Sequence, residues 1–156
     1  MKKLYVVGDR ASKSLSPTIF NYWFKKYNIK ASYGYLELTE KNFHKKIKEV
    51  LKKKDTLGLN VTIPFKNKII KHLSKIDNHA KKIGAVNCVT NKKNINGTNT
   101  DWTGYYKTLP NIKKTKNRKV VILGYGGASH AIHYVLKKRG FKDILIFNRS
   151  KKKIKY

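Results

Sequence analysis

The sequence predicts an α/β protein: an open, mostly parallel sheet with helical crossovers, followed by the opening βαβ unit of a second domain. Three observations lead there. Apolar runs of strand length alternate with segments of helical periodicity through the first hundred residues. A polar, basic stretch from Pro110 to Lys119 interrupts that alternation. Beyond it, the apolar run KVVIL (119–123), a glycine-rich turn and an amphipathic segment lead to a second apolar run, DILIF at 143–147.

Residues 3–8 (KLYVVG) form a short apolar run that ends in glycine, the pattern of a buried strand. Ser16-Pro17 supplies an N-cap and a first-turn proline, after which Ile19, Phe20, Trp23, Phe24 and Tyr27 share one helical face. A second strand is expected over 32–38. Phe43, Ile47, Val50 and Leu51 mark a helix over about 40–53, and GLNVTI at 58–63 a third strand. Pro64 ends that strand, and Ile69, Ile70, Leu73 and Ile76 then continue with helical spacing. Short strands follow over 85–90 and 94–97, then a helix over 101–109. Ala131, Ile132, Val135 and Leu136 form one face of the helix between the last two strands. The expected division is 1–106 for the first domain and 107–156 for the second.

The 156 residues carry 37 Lys plus Arg against 8 Asp plus Glu, a formal net charge of +29. Charge alone would suggest disorder, but 10 Tyr, 6 Phe and 2 Trp supply the apolar mass of a core. No stretch approaches the ~20 apolar residues a membrane span needs, and the short run after Met1-Lys2-Lys3 is not that of a secretory leader. Cys88 is the only cysteine, which suits a reducing, cytoplasmic setting. So basic a chain attracts polyanions. Only Arg10, Arg118, Arg139 and Arg149 are arginines, however, and the lysines are spread over the whole length. No specific nucleic-acid partner and no membrane partner is therefore expected; a basic binding module stays the alternative class.

The turn Gly124-Tyr125-Gly126-Gly127-Ala128 lies between strand and helix, where backbone N–H groups can approach a pyrophosphate at a positive helix end. Ser129 stands at the third glycine of the usual fingerprint, so the turn alone is also compatible with a tight βα connection that binds nothing. At the end of the next strand, where an NAD site places an acid, stand Asn148, Arg149, Ser150, Lys151, Lys152 and Lys153. Arg149 suits a ribose 2′-phosphate, so NADP(H) is favoured over NAD.

Polar clusters also fall at the ends of the first domain's strands: Ser14 and Ser16, then Asn60, Thr62 and Lys66, then Asn87, then Asn99-Thr100-Asp101. Such hydroxyls and amides suit a small polyhydroxylated substrate. Lys66 is the only charged residue between Asp55 and Lys68, placed at the start of a predicted helix, and Asp101 is a candidate partner for it. Each also has a plain reading, with Ser16 an N-cap, Asn60 and Asn99 turn caps, and Lys66 one lysine among many. His130 and His133, one turn apart, lack further ligands nearby in sequence, so no metal site is expected.

Taken together, the serine pair before proline, NVTIPFK, IGAVN, GTNTDWTGY, VVILGYGGASHA and NRSKK resemble, in order and spacing, the motifs of the shikimate dehydrogenase family, over essentially all of residues 4–153. The resemblance implies a substrate domain followed by part of a Rossmann NADP-binding domain. It also implies NADPH-dependent reduction of 3-dehydroshikimate to shikimate, with quinate as an alternative substrate. By position, Ser14, Ser16, Asn60, Thr62, Lys66, Asn87 and Asp101 are the implied substrate contacts, with Lys66 and Asp101 the implied catalytic pair. Gly124 to Ala128 and Asn148 to Lys153 are the implied cofactor contacts. His130 stands where the family often has arginine. A complete dinucleotide domain needs on the order of 100 further residues, so the sequence reads as the N-terminal part of an enzyme, with little or no activity alone. A homodimer of the whole enzyme is left open.

Overall fold

The computed structural model describes residues 1–110 and 119–149. Its first region is a six-stranded sheet in the order β2-β1-β3-β5-β6-β4. β1 (Lys2–Gly8) lies between β2 (Ala31–Glu37) and β3 (Thr56–Val61), parallel to both. β5 (Cys88–Asn91) and β6 (Ile95–Thr98) form an antiparallel hairpin that continues the sheet from β3, and β4 (Lys75–Ile76) closes the far edge parallel to β6. The sheet is therefore mixed but mostly parallel, as the strand–helix alternation predicts.

The main core lies on one face, where Phe43, Ile47, Val50 and Leu51 of α2 (Phe43–Leu51) pack against Val7, Leu59, Val61, Phe65 and Ile69. Phe43 and Phe65 stack at 4.2 Å and neither is exposed. On the other face α1 (Ser16–Lys26) packs through Phe20 and Phe24 on Val6, Ala11 and Tyr33.

The second region pairs β7 (Val120–Leu123) with β8 (Ile144–Phe147) in parallel, with α5 (Gly127–Lys138) between them in sequence. Ile122, Leu136 and Phe141 form its core. α4 (Asp101–Thr108) joins the two regions, and Arg139 lies 3.8 Å over the Tyr106 ring while donating to the Tyr106 carbonyl. No helix among the described residues is long and apolar enough to cross a membrane.

Several elements depart from the sequence expectation. The isoleucines after Pro64 do not continue as an α-helix: Lys68–His72 forms a 3-10 turn, then the chain extends into β4. Ile69 is buried in the main core, so spacing compatible with a helix is satisfied by a turn that drops one side chain there. Lys66 consequently precedes a 3-10 turn instead of opening a helix. Ser16 is the first helical residue, not the cap; its N–H donates to Ser14 Oγ at 3.2 Å. Of the face predicted for α1, Ile19, Trp23 and Tyr27 stay exposed at 43, 45 and 64%. The expected strand over 85–90 is extended only from Cys88. A short helix, α3 (Asn78–Ile83), has no apolar run to announce it; Asp77 caps it, accepting from the His79 and Ala80 N–H groups.

Candidate active site

Three chain segments meet where β1, β3 and β5 end or begin. β1 ends at Gly8, and the following turn (Ala11–Lys13) carries Ser14 and Ser16 toward β3. β3 ends at Val61; beyond it the Thr62 N–H donates to the Val7 carbonyl, and the Phe65 N–H to the Thr62 carbonyl. Lys66 is then tied down when its carbonyl accepts the Val86 N–H at 2.7 Å, while the Asn87 carbonyl accepts the Val61 N–H at 2.8 Å. Side chains separated by up to 73 residues in sequence so converge on one cavity of about 670 Å³, lined by Ser14, Ser16, Asn60, Thr62, Lys66 and Asn87 among others.

Its polar heart is a small network. Lys66 Nζ donates to Asp101 Oδ2 at 2.7 Å, with the two side chains 13 and 31% exposed. Asn87 Nδ2 donates to Asp101 Oδ1 at 2.7 Å, and Asn87 Oδ1 accepts from the Thr100 N–H at 2.8 Å. Asp101 opens α4, where the helix end favours an anion, and Asn99 supports the same corner by accepting the Trp102 N–H and donating to the Ala85 carbonyl. The carboxylate, anchored by Asn87, holds the ammonium of Lys66 in one place. That arrangement can deliver a proton to, or accept one from, a ligand oxygen in the cavity.

Tyr33 is a site residue that the sequence reading missed. Its hydroxyl donates to Asn60 Oδ1 at 2.6 Å from a buried position. Burial pushes the phenol up to about 12, helped by the nearby Cys88 and opposed by a hydrogen bond from Ser16. Asn60 thus points by way of Tyr33 and is not a turn cap. Strand alternation places Tyr33 on the inner face, but its pairing with Asn60 arises only once β1 separates β2 from β3.

A second cleft, of about 760 Å³, opens between the two regions. The turn from Tyr125 to His130 forms one wall; Lys66, Asn67, Lys81, Lys82 and Gly84 form much of the other. Gly124 has φ +91°, a conformation that favours glycine. A β-carbon on Gly127 would lie 3.0 Å from Lys66 Cδ, so the glycine lets the turn close on the lysine. Space above Gly126 is open to at least 4 Å. Of the remaining expected cofactor contacts, Asn148 already accepts the Tyr125 N–H through Oδ1 at 3.2 Å, linking the two loops, and Arg149 is exposed. Ser150, Lys151, Lys152 and Lys153 lie outside the described residues.

His130 and His133 both pack against Tyr125. His130 Nδ1 lies 3.2 Å from the Ile83 carbonyl and its ring packs on Tyr125, while His133 is buried edge-on to Tyr125. Among the described residues no three His, Cys, Asp or Glu side chains come together as a metal site. His79 crosses between the regions: it stacks on Trp102 at 4.2 Å, and its Nδ1 lies 2.8 Å from the Tyr134 hydroxyl.

Residues 6–89 match the family described as shikimate dehydrogenase substrate binding domain. The chain is 36% identical over 148 residues to the shikimate dehydrogenase (NADP(+)) of Thermotoga maritima, covering 95% of this chain and 55% of that protein. The crystal structure of shikimate dehydrogenase from Thermotoga maritima superposes with a TM-score of 0.84 at 35% identity, over 95% of this chain and 55% of that one. The Thermus thermophilus shikimate 5-dehydrogenase, solved in complex with NADP(H) and shikimate, superposes at 0.79 with 28% identity, over 96% and 57%. The chain thus spans about half the length of the curated relatives it matches.

Proposed function

The chain belongs to the shikimate dehydrogenase substrate-binding domain family, and from that premise we propose that it forms the substrate-binding half and the opening nucleotide-binding unit of an NADP-dependent shikimate dehydrogenase. One observation carries the reading: Lys66, fixed by Asp101, lines both the hydroxyl- and amide-rich cavity and the cleft beside the glycine turn. A proton-transfer group is thereby shared by a substrate pocket and a nucleotide pocket. We assign residues 1–106 to the substrate half and 107–156 to the nucleotide half.

The donors present fit a dinucleotide. The open space above Gly126 and the backbone N–H groups at the start of α5 suit a pyrophosphate. Arg149, at the end of β8, suits a 2′-phosphate. When bound, NADPH supplies the hydride for the 3-keto carbon. Every other task falls to this chain. Ser14, Ser16, Asn60, Thr62 and Asn87 orient the ring by its carboxylate and hydroxyls. Lys66 Nζ donates the proton that the carbonyl oxygen needs as it becomes a hydroxyl, and takes it back in the reverse direction. Asp101 holds that ammonium and balances its charge, with Asn87, itself held by the Thr100 N–H, keeping the carboxylate still. The single cysteine suits a reducing compartment such as the cytoplasm.

Calorimetric titration of the chain with shikimate, and separately with NADP+, tests this reading. Saturable shikimate binding is expected, weakened by Asn60→Ala and Asn87→Ala. In a whole enzyme carrying this half, Lys66→Ala is expected to lower kcat by about 10² to 10⁴ with a modest change in shikimate affinity. A chain that ignores shikimate at millimolar concentration, or a Lys66→Ala enzyme with unchanged turnover, defeats it.

A further inference from the structure

The wall of the substrate cavity around Ser14 and Ser16 carries charges to which the roles above give no task. Asp9, Arg10 and Lys13 line it beside the two serines. Among the cations of this cavity, Lys66 is already paired with Asp101. Lys13 lies in the field of Glu37, whose carboxylate is held below the usual range first by its hydrogen bonds from Ser12 and then by this lysine. Among the described residues neither Lys13 nor Arg10 has a carboxylate within ion-pair distance, and Arg10 has no such field from Glu37. The Arg10 main chain is tied in, because its carbonyl accepts the Lys13 N–H and so starts the turn that delivers Ser14.

Arg10 is also one of only four arginines among 37 basic residues, so it stands apart from the lysine background. A guanidinium presents parallel N–H groups that match the two oxygens of a carboxylate, which a lysine ammonium does not. Serine hydroxyls can donate to the same oxygens. The cavity's other donors are Lys66 and the amides of Asn60 and Asn87, which suit a carbonyl and hydroxyls.

Building on the shikimate-binding reading, we propose that Arg10 is a further substrate-binding residue. Its guanidinium pairs with the carboxylate of the ligand that Ser14 and Ser16 hold, and so selects anionic ligands over neutral ones of the same shape. The pairing also sets orientation, with the carboxylate toward the Ala11–Lys13 turn and the reacting carbon toward Lys66.

The test compares shikimate with its methyl ester, by calorimetry, on the chain and on Arg10→Gln. The unaltered chain is expected to prefer shikimate by about tenfold, and less so at 0.5 M salt. Arg10→Gln is expected to bind shikimate about tenfold more weakly and the ester unchanged; retained ester binding also shows that the variant is folded. Arg10→Lys should recover part of the preference. Arg10→Gln binding shikimate like the unaltered chain, or losing both ligands in parallel, overturns the proposal. An unaltered chain that binds neither ligand overturns the shikimate reading itself and this proposal with it, a result distinct from the other two.

Discussion

β1 and β7 are both short apolar strands that lead through a glycine toward a helix, yet they sit in different surroundings. β1 is flanked by two parallel strands and covered on both faces, with Val6 and Val7 4 and 0% exposed. Among the described residues β7 has one neighbour, and α5 covers one face; Ile122 is 6% exposed, while Val121 and Leu123 on the other face are 52 and 82% exposed. Leu145 and Phe147 of β8 extend that exposed face. The comparison teaches where the chain's stability and its chemistry reside. Side chains of the first region meet defined partners in a closed core, and the polar groups of the site are held by that core. Those of the second region present a turn that faces Lys66 of the first region across a cleft.

The sharpest way to break the comparison is to cut into each region in turn. Phe65→Ala removes an aromatic ring stacked on Phe43 from the seam beside Lys66 and is expected to cost about 3–5 kcal/mol. Leu123→Ala, on the open face of β7, is expected to stay within about 0.5 kcal/mol. Urea denaturation followed by far-ultraviolet circular dichroism measures both. A large loss for Leu123→Ala would mean that this face is covered in solution.

Next in size is the ion pair at the seam. Asp101→Asn keeps the shape but removes the charge opposite Lys66, which is only 13% exposed, and is expected to cost about 1–3 kcal/mol. The same variant should weaken communication between the two pockets, read as a loss of any mutual enhancement between shikimate and NADP+ binding. No change in either measurement would make the pair a surface contact of little consequence.

A smaller effect is expected at Tyr33, which belongs wholly to the first region. Its folded phenol, raised to about 12 against an ordinary value near 10, contributes stability that is intact below about pH 10 and is lost as the pH rises toward 12. Tyr33→Phe should lower stability at neutral pH by about 1 kcal/mol, through the lost hydrogen bond to Asn60. It should also flatten the alkaline loss and delete a late step from the tyrosinate absorbance titration. An unchanged alkaline limb would place the phenol in solvent.

How much of this is legible in the sequence depends on how local each signal is. The strands apart from β4, together with α2, α5 and the glycine turn, announce themselves through apolar period and flanking residues. The pairing of Lys66 with Asp101 is implied by the resemblance that NVTIPFK and GTNTDWTGY help to carry. α3 was readable only from its ends, the cap Asp77 and the left-handed Gly84, because six residues are too few to show a period. The run after Pro64 misleads because spacing reports which residues want burial and not how the backbone delivers them. Tyr33 and Arg10 are silent in sequence, since their roles depend on which strands become neighbours and which wall a turn faces.

The last contrast sets one histidine of each region against the other. His72 lies at the end of the 3-10 turn after Lys66, its Nε2 2.8 Å from His44 Nδ1 at the start of α2. Burial holds it below the ordinary imidazole range, and His44, Lys48 and Lys71 add to the effect. His133 on α5 is held down first by burial and then by Lys137 and His130. Since both groups bind protons less readily folded than unfolded, each contributes stability that is present above about pH 6.5 and lost as the pH falls through its folded value. The contribution of His72 should stay below about 1 kcal/mol, because that side chain remains partly solvated. His72→Asn should flatten the acid limb of the first region's unfolding, and His133→Asn that of the second. If the regions unfold as one cooperative unit, either variant shifts a single transition. If they separate, His133→Asn moves only the weaker one, and Trp102, packed against Tyr134 of α5, reports which has moved.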